Sequence, residues 1–304
     1  MTVSTFSQVL RNLPTKASQR DLAATFKEVS RREAEMISLA TEHGSHDGHS
    51  LEDAQRGRNY DLNRYSNVLP FDDNRVRLEG RNDYINASHI KMPKVTPNTY
   101  IATQGPLKHS VGDFWRMVWE QKAQAIVMLV KPVEDGRSKC EMYWPTESQK
   151  LGDITVTLES ERPMDARGDT LVRKFVLARY GEIRSVVQLH YMEWPDHGVP
   201  PSPLPILNII QYLRLEIVPD TKHPVIVHCS AGVGRTGSFI TLDSSIDHLA
   251  THHNEYNGDL IMDIFKNLRS QRVMMVQTLD QLAFCYEAVI YSLSEQKRME
   301  KSPV

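Results

Sequence analysis

Cysteine is scarce in this chain: three of its 304 residues are cysteines, Cys140, Cys229 and Cys285. An odd and low count without close pairing argues against a disulfide framework and favours a reducing compartment. We therefore expect a cytoplasmic protein, with access to the nucleus, and not a secreted one.

Long apolar runs are also missing. No run approaches the roughly 18 residues of a membrane-spanning helix, and the run at residues 125–130 is among the longest. The N-terminus has no basic region followed by an apolar core, so no signal peptide is predicted. No repeat of fixed period occurs either. These absences predict a protein without a membrane partner.

Charge of one sign is not in excess. Lys and Arg number 36 against 38 Asp and Glu, a formal net charge of -2, which does not support nucleic-acid binding. Hydrophobic residues make up 40% and charged residues 24% of the chain, an ordinary globular composition for one large domain or two small ones.

Three histidines lie within residues 43–49. Because no second ligand cluster accompanies them, we interpret this segment as a polar linker and expect no metal.

Residues 225–237 carry the most informative pattern of the chain. An apolar, β-branched run leads to Cys229, a loop with Gly232 and Gly234 follows, and an amphipathic run comes next. This order predicts a strand, a tight loop and a helix. The glycines permit backbone angles at which successive N–H groups point at one centre, and the helix N-terminus adds its positive dipole end. Arg235 can donate two parallel hydrogen bonds, so the pattern predicts an anion-binding loop.

Cys229 would lie at the base of this loop. The positive field there favours the thiolate at neutral pH, and a thiolate beneath a bound phosphate is a nucleophile aimed at phosphorus. The alternative is an ordinary buried cysteine in a strand–loop–helix crossover, which requires neither His228 before it nor the spaced Arg235. The string HCSAGVGRTG, residues 228–237, resembles the phosphate-binding loop of the cysteine-dependent protein tyrosine phosphatases.

That resemblance implies a role for each residue of the loop. Cys229 would be the nucleophile, Arg235 would bind the phosphate, and Thr236 would stabilise the departing thiolate. His228 would hold the geometry of the loop without transferring protons. The remaining loop residues would bind phosphate through their backbone amides: Ser230, Ala231, Gly232, Val233 and Gly234.

Residues 62–72 resemble the substrate-recognition loop of the tyrosine-specific members of this family. Tyr65 would stack on the phenyl ring of phosphotyrosine and make the pocket too deep for phosphoserine, and Asn67 and Val68 would also bind substrate. On its own, Tyr65 would be interpreted as a half-buried surface aromatic. Two positions depart from the family pattern, since Leu62 replaces a usual lysine and Asn67 a frequent aspartate. The preference among peptides is therefore left open.

Residues 194–200, WPDHGVP, form the second strong motif. Cleavage of a tyrosine phosphate ester releases a phenolate, so an acid opposite the nucleophile eases the reaction. Asp196 lies between proline and glycine residues, which suits a loop hinged at both ends; a capping or turn aspartate is the alternative. The motif resembles the family's mobile acid loop. There Asp196 would be the general acid and base, His197 would line the pocket rim in place of phenylalanine, and Trp194 would support the loop.

Residues 134–145 resemble the loop that flanks the active site in this family. By that match Glu134 would orient Arg235, and Lys139 would pair with the catalytic acid. A solvated, charged hairpin is the alternative interpretation of the segment.

Residues 277–281, QTLDQ, resemble the family loop that holds the hydrolytic water. Gln281 would position this water and Gln277 would help to admit it. An amide suits the task because it donates and accepts hydrogen bonds without ionising. Two glutamines at the start of a helix are usually surface residues, so this assignment depends on the resemblance.

The resemblance covers roughly residues 20–293, with the motifs in family order. It implies a single α/β domain over residues 18–294, with a mixed twisted sheet flanked by helices on both faces. A flexible arm at residues 1–17 would precede the domain, and a charged tail at residues 295–304 would follow it.

The implied activity is the hydrolysis of phosphotyrosine in proteins through a phosphocysteine intermediate, without a cofactor or metal. Phosphotyrosine-containing proteins, kinases among them, would be the partners of a monomeric enzyme that binds no nucleic acid and no membrane. The compact length resembles that of small non-receptor members such as fungal ones. Two alternatives stay open: an inactive module that only binds phosphotyrosine, and a dual-specificity or phosphoinositide phosphatase. Shallow-pocket relatives lack a segment like the one around Tyr65, which argues against the latter.

Overall fold

The computed structural model describes residues 8, 10, 16–45, 49–80, 82–195, 198–217, 221–253 and 255–301. Its first long helix, α1 (Lys16–His43), begins slightly before residue 18, the predicted start of the domain. Leu22, Phe26 and Val29 pack this helix against the hydrophobic core. The helix is therefore joined to the domain by apolar contact along one face.

Within the described residues, a nine-stranded mixed sheet forms the centre of the fold. The strands are β1 (Arg75–Arg77), β2 (Tyr84–Lys91), β3 (Thr99–Thr103), β4 (Ala125–Met128), β5 (Val133–Glu134), β6 (Arg137–Ser138), β7 (Ser148–Leu151), β8 (Ile154–Pro163), β9 (Thr170–Arg179), β10 (Glu182–Tyr191) and β11 (Val225–His228). Their order in the sheet is β1-β2-β3-β11-β4-β10-β9-β8-β7, and β5 and β6 pair separately as a hairpin.

Strand β11, which leads to Cys229, lies inside the sheet. It pairs in parallel with β3 on one side and β4 on the other, and β4 pairs in parallel with β10. Every residue of β11 is buried, as expected of a parallel strand that is covered on both faces. The carboxyl ends of these strands meet at one edge of the sheet, and this is the edge at which open α/β sheets bind ligands.

Helices pack on both faces of the sheet, as the resemblance implies. Consecutive residues of β4 and β11 are therefore buried. After α1, the helices are α2 (Glu52–Gln55), α3 (Val111–Glu120), α4 (Leu204–Tyr212), α5 (Gly234–Thr251), α6 (Leu260–Gln271) and α7 (Leu279–Lys301). None of the helices in the described part of the chain has the length and apolar character needed to cross a membrane.

Helix α5 differs from the amphipathic run that the sequence predicts after the loop. Nearly all of its residues are buried, because it packs between α6 and α7 and the sheet. Two of its hydroxyl groups bond to carbonyls one turn earlier: Ser238 Oγ donates to Gly234 O at 3.1 Å, and Ser245 Oγ donates to Thr241 O at 2.7 Å. Such bonds satisfy hydroxyl groups inside a helix, so polar residues are compatible with its central position.

Helix α7 extends further than the sequence pattern predicts. Residues 295–301, which the sequence analysis assigns to a charged tail, are helical. An ion pair between Arg298 and Glu295, at 2.9 Å, links adjacent turns in this part of the helix. The remaining residues of the predicted tail, 302–304, and residues 1–7, 9 and 11–15 of the predicted arm lie outside the described residues.

Candidate active site

Cys229 lies at the point where β11 ends and the loop toward α5 begins. Its sulfur accepts a hydrogen bond from the Gly232 N–H at 3.3 Å and another from Thr236 Oγ1 at 3.4 Å. The residue is 5% exposed, and it lines a pocket of about 560 Å³. The loop and the first turn of α5 thus each aim one donor at this sulfur.

Gly232 joins this loop to the neighbouring strand β3. Its φ of +73° lies in the left-handed region, and a Cβ built on it would stand 2.1 Å from the carbonyl oxygen of Thr103. Only glycine meets both constraints without strain. The loop can therefore approach the sheet closely enough to aim the Gly232 N–H at Cys229.

Arg235 is held by a fork of two ion-pair hydrogen bonds. Its Nη1 and Nη2 donate to Oε1 and Oε2 of Glu134 at 2.7 and 2.8 Å, and Nη1 also donates to Leu129 O at 3.1 Å. Bidentate pairing fixes the plane of a guanidinium. Glu134 therefore makes the contact expected of a residue that orients Arg235, which itself lines the pocket.

His228 is buried and neutral. Its Nδ1 lies 3.1 Å from Cys229 O and its Nε2 lies 2.9 Å from Tyr143 Oη. A carbonyl oxygen can only accept, so Nδ1 carries the proton and Nε2 accepts from Tyr143. Burial lowers the pKa of His228 to about 4, against a backbone hydrogen bond to Cys229 that raises it. A ring with both nitrogens engaged suits the support of the loop.

The buried arginine Arg272 supports the loop from behind, although sequence analysis assigns it no role. It donates to Gly232 O at 3.0 Å and Ala231 O at 3.2 Å, and it is anchored by Asn86 Oδ1 at 2.7 Å. Burial lowers the pKa of Arg272 to about 10, so it remains a cation at neutral pH. Nothing in its local sequence distinguishes it from a surface arginine, since its partners lie far away in the chain.

Tyr65 connects the recognition segment to the loop. The hydroxyl of Tyr65 lies 2.9 Å from Ser230 Oγ. Ser230 Oγ donates its own proton to Lys139 O at 2.8 Å, so Tyr65 is the donor to Ser230. The neighbouring Arg64, to which sequence analysis assigns no role, fixes the segment by donating to Gly105 O at 3.0 Å and Pro106 O at 2.7 Å. The ring of Tyr65 is thereby held at the wall of the pocket.

The pocket brings together most of the residues that the sequence analysis selects. Its lining consists of Tyr65, Asn67, Val68, Arg137, Ser138, Lys139, Cys229, Ser230, Ala231, Gly234, Arg235, Gln277, Thr278 and Gln281. Of these, Arg137, Ser138 and Thr278 are not predicted. Arginine and lysine are the charged residues of this described lining, which contains no carboxylate. Such a pocket attracts anions.

Other selected residues lie behind the pocket or outside the described residues. Val233 and Thr236 are fully buried, so they hold the loop from within. Asp196 and His197, and with them the expected pair of Asp196 and Lys139, fall outside the described residues. Trp194 is buried beside this segment, and its indole Nε1 donates to Gly198 O at 3.0 Å, which joins the two flanks of the segment.

The two glutamines lie together over the loop. Gln281 Oε1 accepts from the Gln277 N–H at 2.9 Å. A Cβ built on Gly234 would stand 2.9 and 3.0 Å from the two amide heteroatoms of Gln281. The absence of a side chain at Gly234 therefore lets this amide reach the loop that follows Cys229.

Within the described residues, no group of three or more His, Cys, Asp or Glu side chains could hold a metal ion. His46, at the centre of the three-histidine segment, lies outside the described residues. The described pocket presents a thiol, the three cationic side chains of Arg137, Lys139 and Arg235, and backbone donors. These groups can bind an anion and attack it.

Comparison with known proteins gives the same family over most of the chain. A sequence profile described as protein-tyrosine phosphatase matches residues 59–291. Human phosphatidylinositol phosphatase PTPRQ is 41% identical over 81% of this chain. Mouse receptor-type tyrosine-protein phosphatase eta is 43% identical and mouse tyrosine-protein phosphatase non-receptor type 4 is 40% identical, each over 80% of the chain. The chain spans 10%, 20% and 26% of the lengths of these three relatives.

Solved structures share the fold. The catalytic domain of human protein tyrosine phosphatase non-receptor type 18 is 36% identical with a TM-score of 0.79, covering 89% of this chain and 95% of that one. A structure of PTPN18 in complex with HER2-pY1196 phosphopeptides is 35% identical with a TM-score of 0.84, covering 94% of this chain and 98% of that one. Profile, relatives and fold agree with the geometry around Cys229, and the chain belongs to the protein-tyrosine phosphatase family.

Proposed function

We propose that this protein hydrolyses phosphotyrosine in proteins through a phosphocysteine intermediate. The observation that carries the proposal is the sulfur of Cys229, which accepts two hydrogen bonds beside a pocket lined by Arg235. A thiolate so placed is a nucleophile for a phosphate held in the same pocket. The chemistry then takes two steps.

In the first step the sulfur of Cys229 attacks phosphorus in line. The S–P bond forms as the bond from phosphorus to the tyrosyl oxygen breaks, and that oxygen keeps the electron pair and takes a proton from Asp196. Arg235 and the amides from Ser230 to Gly234 stabilise the equatorial oxygens. The role of Asp196 rests on its motif and on the family resemblance.

In the second step a water molecule attacks the phosphocysteine. Its oxygen forms the new P–O bond, the S–P bond breaks, and the electron pair returns to sulfur. The proton of the water passes to the Asp196 carboxylate, while Gln281 orients the water and Gln277 helps to admit it. Thr236 and the Gly232 N–H, 3.4 and 3.3 Å from the sulfur, stabilise the thiolate that leaves.

The substrate class is inferred from the residues at the pocket wall. The ring of Tyr65 stands at its wall, where it can stack on a phenyl ring. Asn67 offers peptide an uncharged acceptor. Because PTPN18, which shares the fold, has been solved with HER2 phosphopeptides, we propose phosphotyrosine-containing proteins, kinases among them, as partners. The monomeric state and the cytoplasmic location, with access to the nucleus, belong to the same proposal.

A second candidate activity is the hydrolysis of phosphoinositides. One relative with 41% identity is named a phosphatidylinositol phosphatase, so the family match by itself does not separate the two substrate classes. Tyr65 favours the tyrosine substrate, because a flat ring at the wall complements a phenyl ring better than a polyol. A module that binds phosphotyrosine without turnover is the third candidate.

One experiment distinguishes these candidates. Turnover is measured on a phosphotyrosine peptide, the matched phosphoserine peptide and a phosphatidylinositol phosphate, with the wild-type protein and the variants Cys229→Ser and Tyr65→Ala. We expect rapid hydrolysis of the phosphotyrosine peptide alone, no turnover by Cys229→Ser, and weaker peptide binding with a smaller selectivity in Tyr65→Ala. Faster hydrolysis of the lipid would favour the second activity, and binding without turnover would favour the third.

A further inference from the structure

The backbone just before Gln277 is strained. Met274 and Val276 have φ values of +59° and +55°, a region that residues with a side chain rarely adopt and that a β-branched residue adopts least of all. Such residues persist only where surrounding contacts hold them. The segment from Met274 to Val276 leads directly to the two glutamines that the proposed second step requires, so its contacts determine where these amides stand.

Arg269 of α6 supplies two of these contacts. Its Nε donates to Met275 O at 2.5 Å and its Nη2 donates to Val276 O at 2.9 Å. The guanidinium is buried and lies over the rings of Phe26 and Phe265, at 5.4 and 5.1 Å from their centroids. The two carbonyl oxygens and the two rings together fix the orientation of the guanidinium.

Glu33 of α1 supplies the remaining contacts. Its Oε2 accepts from Arg269 Nη1 at 2.7 Å, and its Oε1 accepts from the Met274 N–H at 2.8 Å. The side chain is 8% exposed, so both carboxylate oxygens bond to protein donors and not to water. Through these two bonds Glu33 connects the first helix to the strained segment. Glu33 lies before residues 59–291, the range that the family profile matches.

The strained segment in turn contacts the phosphate-binding loop. The Val276 N–H donates to Val233 O at 3.2 Å, and the Gln281 amide stands against Gly234. A shift of the backbone at Met274 to Val276 would move the two glutamines relative to the sulfur of Cys229. Positioning errors of about 1 Å can cost a reaction up to 100-fold.

We infer that Glu33 and Arg269 are positioning residues for the hydrolysis of the phosphocysteine, acting through the backbone of Met274 to Val276 on Gln277 and Gln281. The inference rests on the proposed function. In the step concerned, the water oxygen bonds to phosphorus, the S–P bond breaks with its electron pair on Cys229, and the water proton passes to Asp196. Formation of the phosphocysteine depends on contacts made by other elements, such as Glu134 with Arg235, and should proceed unchanged.

The test is a separation of the two steps in the variant Glu33→Gln. With p-nitrophenyl phosphate, a good leaving group makes phosphorylation of Cys229 fast. We expect kcat and KM to fall together, each by roughly tenfold, with kcat/KM nearly unchanged, because the second step alone becomes slower. Rapid mixing should then show a burst of p-nitrophenol close to one equivalent of enzyme, and Gln281→Ala should show the same pattern.

The matched control is Glu35→Gln, the same substitution on the same helix. Glu35 is exposed and pairs with Arg31 on the outer face, so its replacement should leave kcat, KM and the burst unchanged. Arg269→Lys keeps the positive charge and loses the several hydrogen bonds of the guanidinium. It should show the same fall in kcat and KM and the same burst as Glu33→Gln. It also provides the measurement if Glu33→Gln does not fold.

Two results would overturn the inference. One is a Glu33→Gln or Arg269→Lys protein whose kcat and kcat/KM fall equally at unchanged KM, which is the result of a smaller folded fraction or a slower first step. The other is a folded variant with wild-type kinetics and no burst. A wild-type protein without turnover on any phosphate ester would instead contradict the proposed function and is recognised before any variant is compared.

Discussion

At the scale of single residues, the groups around Cys229 divide into those that line the pocket and those that hold them in place. Arg235 lines the pocket, and Glu134 and Leu129 fix its plane. Gly232 aims an N–H at the sulfur, and Arg272 holds the carbonyl of the same residue. Each facing group thus has a partner that lies far away in the sequence, which is how a site achieves a defined geometry.

Peroxide should inactivate the enzyme by oxidising Cys229. The two other cysteines are buried, and burial raises the pKa of Cys285 to about 12 and that of Cys140 still further, so both remain weakly reactive thiols. The sulfur of Cys229 would become a sulfenic acid, which can lose water as its sulfur bonds to the backbone nitrogen of Ser230. We expect thiol reductants to restore activity after brief exposure, and bound vanadate to protect.

Mass spectrometry of the Cys229 peptide, taken alongside activity, decides this prediction. The competing explanation is oxidation of one of the twelve methionines, which a thiol would not reverse. Loss of activity while Cys229 remains a free thiol would show that the prediction is wrong.

At the scale of elements, β11, the loop and α5 form one unit that is locked to β3. The strand pairs with β3 from Val225 to His228, and the loop then presses Gly232 against the carbonyl of Thr103. Helix α5 begins at Gly234, so its first turn faces the pocket. The order of strand, loop and helix is as the sequence predicts, and contact with β3 determines how tightly the loop closes.

Gly232→Ala should abolish activity and destabilise the fold. The new Cβ would meet the Thr103 oxygen at 2.1 Å, far inside van der Waals contact, and the φ of +73° adds strain of about 1 kcal/mol or more. We expect a loss of several kcal/mol in the free energy of unfolding, of the order found for core overpacking and strain together, measured by urea denaturation with turnover in parallel.

Gly168→Ala is the matched control. Gly168 has a φ of +72° and no heavy atom within 4 Å of the added Cβ, so this variant reports the backbone strain without the clash. It should lose about 1 kcal/mol and keep its activity. Equal losses of stability in the two variants would show that close approach to β3 does not determine the requirement for glycine at 232.

At the scale of the whole molecule, a buried chain of hydrogen bonds crosses the sheet to the active site. Arg173 of β9 donates to Gln188 Oε1 of β10 at 2.8 Å, Gln188 Nε2 donates to Tyr143 Oη at 2.6 Å, and Tyr143 bonds to His228. Arg173 also lies 3.1 Å from Nδ1 of His190. Polar groups in a core are tolerated where every member is satisfied, and here both histidines satisfy this requirement in their neutral form.

Acidification from about pH 7 to about pH 5 should destabilise the protein. Burial lowers the pKa of His228 from 6.5 to about 4, and burial with the nearby Arg173 lowers that of His190 to about 3. At a pH between the ordinary pKa of a histidine and its lower pKa in the folded protein, the unfolded chain binds more protons than the folded one. Each ring therefore contributes stability that is complete above its ordinary pKa and is lost as the pH falls toward the folded value, by up to about 1.4 kcal/mol per pH unit.

The variant His190→Asn isolates this contribution. Asparagine carries one kind of donor and one acceptor, as the neutral ring does toward Val130 O and Arg173, but it does not titrate. The free energy of unfolding is measured by urea denaturation at both pH values for the two proteins. The loss on acidification should be smaller in the variant, and buried carboxylates such as Glu33 cancel in the difference. Equal losses would contradict the prediction.

The sequence by itself determined the family, the order of strand, loop and helix around Cys229, and the identity of most residues that line the pocket. These features lie in short contiguous strings, and their backbone geometry follows from residue type, as at Gly232, whose positive φ only glycine adopts freely. Contiguous motifs carry their own spacing, so no long-range contact is needed to recognise them.

Only the tertiary structure decided which residues support those groups. Arg272 and Glu33 come from segments without a motif, and in sequence they resemble the exposed Arg298 and Glu35. Burial is a property of the assembled fold, and it is burial that makes a charged side chain require a fixed partner. The same holds for helix α5, which the sequence presents as an amphipathic run, whereas packing against α6, α7 and the sheet buries nearly all of its residues.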